Sequence, residues 1–249
     1  MLKFIIIAAV TLGMLAPLSP LLAKERIYLL AGQSNMMGHG KTHELPPRYK
    51  RTPPNVHFFY QGRLKPLAQT TYFGPEVTFA HEVARAFPND QHILIKMAAT
   101  GSSIKQWQYG QPLYYGLLRH LQLALPEYFY RATPPVEAII WMQGEQDARK
   151  WVDARNYQTL VWHFISQLRS DIAAPKSLLI MGRVNPRTPY FKMVGMVQNS
   201  QAQLTRTLPY TLLVNTDGLG TLRDRIHYSA KGQMELGRRM ARAYIRSRR

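Results

Sequence analysis

The chain has 249 residues, 46% hydrophobic and 18% charged, which suits one α/β domain with a full core and is short for two once a targeting segment is removed. Zero cysteines exclude disulfides, thiolate metal sites and cysteine nucleophiles, so stability must come from the core and chemistry from oxygen or nitrogen groups. A formal charge of +18 raises nucleic acid as a partner, but the charge is spread along the chain and thickens only at its end, so no nucleic-acid partner is expected.

At the N-terminus, Met1-Leu2-Lys3 supplies a short positive end, and residues 4–16 an apolar run broken by Pro17 and Pro20 before Leu21-Leu22-Ala23. That layout reads as a secretory signal peptide, residues 1–23, cleaved after Ala23 and sending the mature protein to the periplasm or the exterior. The alternative is an uncleaved N-terminal membrane anchor. A buried core helix fits poorly, because the prolines sit where the helix should continue.

Residues 26–31 predict the first strand. Residues 41–67, with five prolines, read as a long surface excursion whose middle, 56–60, is strand-like. A helix follows over 75–87, where Val77, Ala80, Val83, Ala84 and Phe87 share one face. Strands at 92–97, 136–142, 177–182 and 211–215 then alternate with helices at 113–125, 156–172 and 190–207. The last helix, 229–246, has Ser229 as a natural N-cap, with Arg238, Arg239, Arg242, Arg246 and Arg249 opposite Leu236, Met240, Ala243 and Tyr244. Its basic face reads as a solvated surface, with attachment to an anionic envelope surface or acidic glycan as the functional alternative. The alternation as a whole predicts a single three-layer α/β/α domain, residues 24–249, around a central parallel five-stranded sheet.

In such sheets reactive groups gather in the loops at the carboxyl ends of the strands. After the first strand comes Gly32-Gln33-Ser34-Asn35-Met36-Met37-Gly38, a serine at a strand-to-helix turn between glycines. Ala99-Thr100-Gly101-Ser102-Ser103 follows the second, Gln143-Gly144-Glu145-Gln146-Asp147 the third, and Asp224-Arg225-Ile226-His227 the fifth. His39 and His43 stand four apart, a metal-compatible spacing on a helix, but Gly38, Gly40 and the prolines beyond argue against a helix there. No metal and no cofactor is expected.

These four blocks, in this order, resemble the motif blocks of the SGNH hydrolases, most closely the sialate O-acetylesterase-like branch that includes carbohydrate esterase family six acetylesterases. The matching residues are Gly32-Gln33-Ser34-Asn35-Met36, Gly101, Trp141-Met142-Gln143-Gly144-Glu145 and Asp224-x-x-His227, joined by Phe73-Gly74-Pro75-Glu76. The resemblance runs from about residue 26 to about 241 and implies a flavodoxin-like SGNH-hydrolase fold. Gln143 stands where the wider group has its asparagine, and the same amide on a longer arm can keep its carbonyl-polarising role.

Ester hydrolysis then distributes the roles. Ser34 is the expected nucleophile, His227 its general base, and Asp224 the acid orienting His227, with Glu145 as a competing acid. The Ser34 N–H, the Gly101 N–H and the Gln143 side chain are the expected oxyanion donors. Gln33, Asn35, Glu145 and Trp107 are candidates for touching substrate or supporting loops, and Trp107 and Tyr109 for stacking on a sugar. The expected activity is removal of small acyl groups, acetyl above all, from a saccharide or glycan. A general short-chain or lipid ester hydrolase is the alternative among enzymes, and a glycan- or envelope-binding protein without activity the alternative outside them.

Overall fold

The computed structural model describes residues 23–69, 71–130 and 135–248. All but one residue of the expected signal peptide, 1–22, and Arg249 of the basic face lie outside them. In chain order the elements are β1 (Glu25–Gly32), α1 (Ser34–Met37), β2 (Gly40–Lys41), β3 (Val56–Tyr60), β4 (Arg63–Leu64), β5 (Tyr72–Phe73), α2 (Glu76–Ala86), β6 (Gln91–Ala98) and α3 (Pro112–Ala124). There follow β7 (Val136–Met142), α4 (Trp151–Asp171), β8 (Leu178–Gly182), α5 (Val194–Thr207), β9 (Thr211–Val214) and α6 (Ala230–Ser247).

The central sheet has seven strands in the order β4-β3-β6-β1-β7-β8-β9, parallel except for β4 at one edge. The expected count of five is corrected to seven. Residues 56–60, expected only as a strand-like stretch in a surface excursion, are β3, which pairs along β6 from Val56↔His92 to Tyr60↔Lys96. Pro53 and Pro54 precede this strand rather than interrupt it, so no ladder donor is lost. β4 then turns back on it and closes the edge. Two helices begin elsewhere than the periodicity suggests: α4 starts at Trp151, five residues before 156, and α5 at Val194, four after 190.

Central strands are covered on both faces, so they read as continuous apolar runs, and every residue of β7 is buried. Alternation assigns the faces. Tyr28 of β1 meets Phe79 of α2 and Tyr244 of α6 edge-on, with ring centroids 5.2 and 5.1 Å away. Trp141 of β7, on the opposite face, packs 5.1 Å from Phe164 of α4. Helices α2 and α6 thus form one outer layer, and α3, α4 and α5 the other.

β1 lies at the centre, with β6 on one side and β7 on the other. The chain builds one half of the sheet, β3 and β6, before it crosses β1 to build the other, so a crevice opens beyond the carboxyl end of β1. At the C-terminal helix, Ser229 caps α6 by accepting from the Gly232 N–H at 3.3 Å. Three arginines of the basic face, Arg238, Arg239 and Arg242, pair with Glu235 at 3.0, 3.1 and 2.6 Å, and the neighbouring Arg248 pairs with Glu137 of β7 at 3.1 Å. No helix among the described residues is long and apolar enough to cross a membrane.

Candidate active site

Ser34 opens α1 directly after β1, and this four-residue helix ends at Gly38, whose φ of 98° belongs to the glycine region. A side chain at Gly38 would also strike the Phe73 and Gly74 backbone. The turn therefore needs glycine for conformation and for contact.

The Ser34 hydroxyl lies 3.0 Å from His227 Nε2, and His227 Nδ1 lies 2.7 Å from Asp224 Oδ2. An ionised aspartate only accepts, so Nδ1 carries the proton and Nε2 is left to accept from Ser34. Asp224 also accepts from the Ile226 and His227 amides at 2.9 and 3.0 Å. Partial burial works to raise its pKa, but these donors and the imidazole hold it below the usual carboxylate range.

Glu145, the competing acid, is placed elsewhere. Its Oε1 accepts from Asn35 Nδ2 at 2.7 Å, while Asn35 also donates to Ile226 O at 3.1 Å and accepts from the Tyr228 N–H at 3.0 Å. Asn35 and Glu145 thus buckle the histidine loop to the serine turn from beneath. Burial pushes the Glu145 carboxyl up, which the Asn35 hydrogen bond only partly offsets. Gln33 is buried beside them, with its side-chain oxygen 3.5 Å from the Gln146 N–H. All three support loops rather than face solvent.

Gly101, φ 69°, stands at the tip of the loop after β6, with open space where a side chain would begin. Among the described residues, neither its N–H nor that of Ser34 is donated to a protein acceptor. Gln143 differs from expectation. Its Nε2 donates to Ser102 O at 2.9 Å and to Asp147 Oδ2 at 2.5 Å, so both amide hydrogens are engaged in a fully buried network. In this geometry Gln143 is no third free donor, and what it does is hold the glycine loop. Of the two roles expected for Trp107, its position fits loop support and not stacking on a sugar. Trp107 is fully buried, donates from Nε1 to Ser102 Oγ at 2.9 Å and packs edge-on against Trp141, out of reach of a sugar. Tyr109 is exposed but leans on Tyr114 and Tyr115 of α3.

Asp147 completes the pin. Its carboxylate accepts the Ile104 N–H at 3.1 Å from both oxygens as well as the Gln143 amide, yet burial pushes its pKa up to about 7. Sequence reasoning missed a second buried support. Lys96 Nζ sits 2.7 Å from Glu76 Oε2 and 2.8 Å from Met37 O, while Glu76 Oε1 takes the Gly74 N–H at 2.9 Å. Burial pushes the Lys96 ammonium down, and Glu76 opposes this. The signal was a lysine inside the otherwise apolar run Ile93-Leu94-Ile95-Lys96-Met97. His39, weighed only as a metal candidate, lies instead against His227, ring centroids 4.2 Å apart, and burial with the neighbouring imidazole lowers its pKa.

Residues 24–246 match the family model described as carbohydrate esterase, sialic acid-specific acetylesterase. A probable carbohydrate esterase of Arabidopsis thaliana is 26% identical over 248 residues, covering 89% of this chain and 90% of that one. Among solved structures, an Arabidopsis thaliana protein superposes with a TM-score of 0.76 at 23% identity, over 90% of this chain and 98% of that one. NanS does so at 0.72 and 15%, over 90% and 97%. A carbohydrate acetylesterase from Xanthomonas citri gives 0.63 and 19%, over 87% of this chain and 55% of its own.

Proposed function

This chain belongs to the carbohydrate esterase, sialic acid-specific acetylesterase family and is a carboxylic ester hydrolase; from that premise we propose that it removes O-acetyl groups from a saccharide through Ser34, His227 and Asp224. The observation that carries the reading is the hydrogen-bonded line from Ser34 Oγ through the His227 ring to Asp224, 3.0 and 2.7 Å long, assembled from residues 193 apart in the chain.

A serine hydroxyl is a weak nucleophile at neutral pH, so His227 Nε2 takes its proton as Oγ attacks the acetyl carbon. The oxyanion that forms is met by the free N–H groups of Ser34 and Gly101. His227, now charged and stabilised by Asp224, returns the proton to the departing sugar oxygen as the carbon–oxygen bond breaks. Water enters by the same route and loses a proton to His227 as it attacks the acetyl carbon; His227 returns that proton to Ser34 Oγ as the bond to the acetyl group breaks and acetate leaves. Gln143, Asp147 and Trp107 act earlier, by fixing the loop that carries Gly101.

The test is acetate release from a panel of acetylated sugars and polymers, with Ser34→Ala as control. Release by the wild type and not by the variant supports the reading, whereas a wild type that cleaves only simple alkyl acetates points to the general ester hydrolase. The N-terminal layout supports export, and we read residues 1–23 as its signal. Determining the N-terminus of the mature protein tests this, with Lys24 as the expected first residue.

A further inference from the structure

Proton return to the departing oxygen requires the alcohol half of the ester to lie within hydrogen-bond reach of His227 Nε2, while the carbonyl oxygen turns toward the amides of Ser34 and Gly101. The sugar therefore leaves along the His227 side of the site. On that side His227 has His39 against it, and His39 in turn neighbours Tyr72. His39 lies with its centroid 4.2 Å from that of His227, inclined 40°, and the Tyr72 ring lies 6.4 Å from that of His39.

Tyr72 sits on, and His39 immediately before, a separate two-stranded ribbon in which β2 and β5 pair antiparallel, Gly40 opposite Phe73 and Lys41 opposite Tyr72. Alternation buries Phe73 as the anchor and turns Tyr72 outward, 51% exposed. The ribbon is anchored to the catalytic turn by the contact of Gly38 with Phe73 and Gly74 and by the Lys96–Glu76 pair. Tyr72 is thus held firmly relative to Ser34 although its ring faces solvent. Other exposed aromatics lack this connection: Tyr109 leans on α3, and Tyr190 lies under the Arg149 guanidinium at 4.2 Å. Among the described residues the buried His39 Nε2 has no hydrogen-bond partner, so the His39 ring is not held by a hydrogen bond at that nitrogen.

We propose that Tyr72 and His39 form the subsite for the sugar ring that bears the ester, Tyr72 offering its face to the apolar C–H face of a pyranose and His39 setting the spacing between that ring and His227. This rests on the esterase reading above. Tyr72 then determines specificity, and His39 is a positioning residue.

The experiment compares kcat and KM on xylopyranose tetraacetate with those on ethyl acetate, whose leaving group has no ring to stack, both followed by pH-stat. Tyr72→Ala should lower the ratio of kcat/KM for the sugar ester over ethyl acetate roughly three- to tenfold, through KM, and Tyr72→Phe should restore it. A merely structural role for Tyr72 would lower both substrates alike and leave the ratio where it was, and that result overturns the subsite. His39→Ala should reduce kcat on the sugar ester with little change on ethyl acetate, and His39→Phe should recover most of it. Equal losses in those two variants would overturn the positioning role. If Ser34→Ala remains active, the esterase mechanism fails; if the mechanism holds but the ratio does not move, the subsite alone fails.

Discussion

The loop bearing Asp224 and His227 and the block bearing Gln143, Glu145 and Asp147 both place carboxylates at strand-end loops and use them oppositely. The first is wet and local. Its side chains remain 40% and 24% exposed, they stand three residues apart, and much of their order comes from amides of the same turn. The second is dry and non-local: each side chain is buried, and Asn35, Ser102 and Ile104, which they hold, lie 110, 41 and 43 residues away. Carboxylates divide accordingly. Asp224 is held below the usual range, while burial raises Glu145 and takes Asp147 up to about 7. Proton transfer needs a group that substrate and water can reach, whereas exact spacing of two loops needs groups that neither can disturb.

The comparison breaks first, and most severely, at the wet loop and its serine. Ser34→Ala and His227→Ala should each lower kcat/KM by about a thousandfold or more, and the double variant should be little worse, since members of such a unit fail together. Retention of a tenth of the activity by Ser34→Ala would remove it as nucleophile. Next comes Asp224→Asn, expected to cost roughly a hundred- to a thousandfold in kcat because the imidazole loses its tautomer and its counter-charge. Glu145→Gln keeps an acceptor for Asn35 and should cost far less, under about tenfold. If Glu145→Gln proved worse than Asp224→Asn, the acid would belong to the dry block after all.

Asp147→Asn sharpens the other side. It removes an acceptor that serves both Gln143 and Ile104, so a loss of roughly 1–3 kcal/mol in denaturant unfolding is expected, with a fall in kcat as the Gly101 loop loosens. Its pH signature has a definite sign. With a raised pKa the native chain keeps a proton that the unfolded chain releases, so this group's contribution to stability falls as pH rises from the ordinary carboxylate range to about 7. Unfolding measured at pH 4.5 and 7.5 should therefore show a smaller difference in Asp147→Asn than in the wild type. Asp224 works in reverse: its lowered pKa supplies stability above the unfolded value, lost as pH falls through the folded one. Smallest of all is Arg246→Ala, on the outer face of α6. Thermal unfolding should register less than about 0.5 kcal/mol.

Much of this was legible because it is local or periodic. Five strands followed from apolar runs between turn residues, Ser229 from its place before an amphipathic stretch, and the Asp224–His227 spacing from the reach of two side chains within one turn. Other features depended on which strand lies beside which. Residues 56–60 carry a strand's composition, but only parallel pairing with β6 makes them part of the sheet. Gln143 carries an amide suited to an oxyanion, but the neighbouring Ser102 carbonyl and Asp147 carboxylate claim both its hydrogens. Trp107 has a sugar-stacking ring that the core encloses.

The sequence alone therefore determined the residue types, the strand-end loops that carry them and the local turn that orders the histidine, because propensity, periodicity and short reach act along the chain. Tertiary structure decided the partners: that Asn35 meets Glu145, that Lys96 meets Glu76, and that His39 lies on His227 rather than beside His43. A buried polar group must find its hydrogen bonds wherever the fold brings a complement within about 3 Å. Which complement arrives is set by the order of strands in the sheet, and that order is written in no single segment.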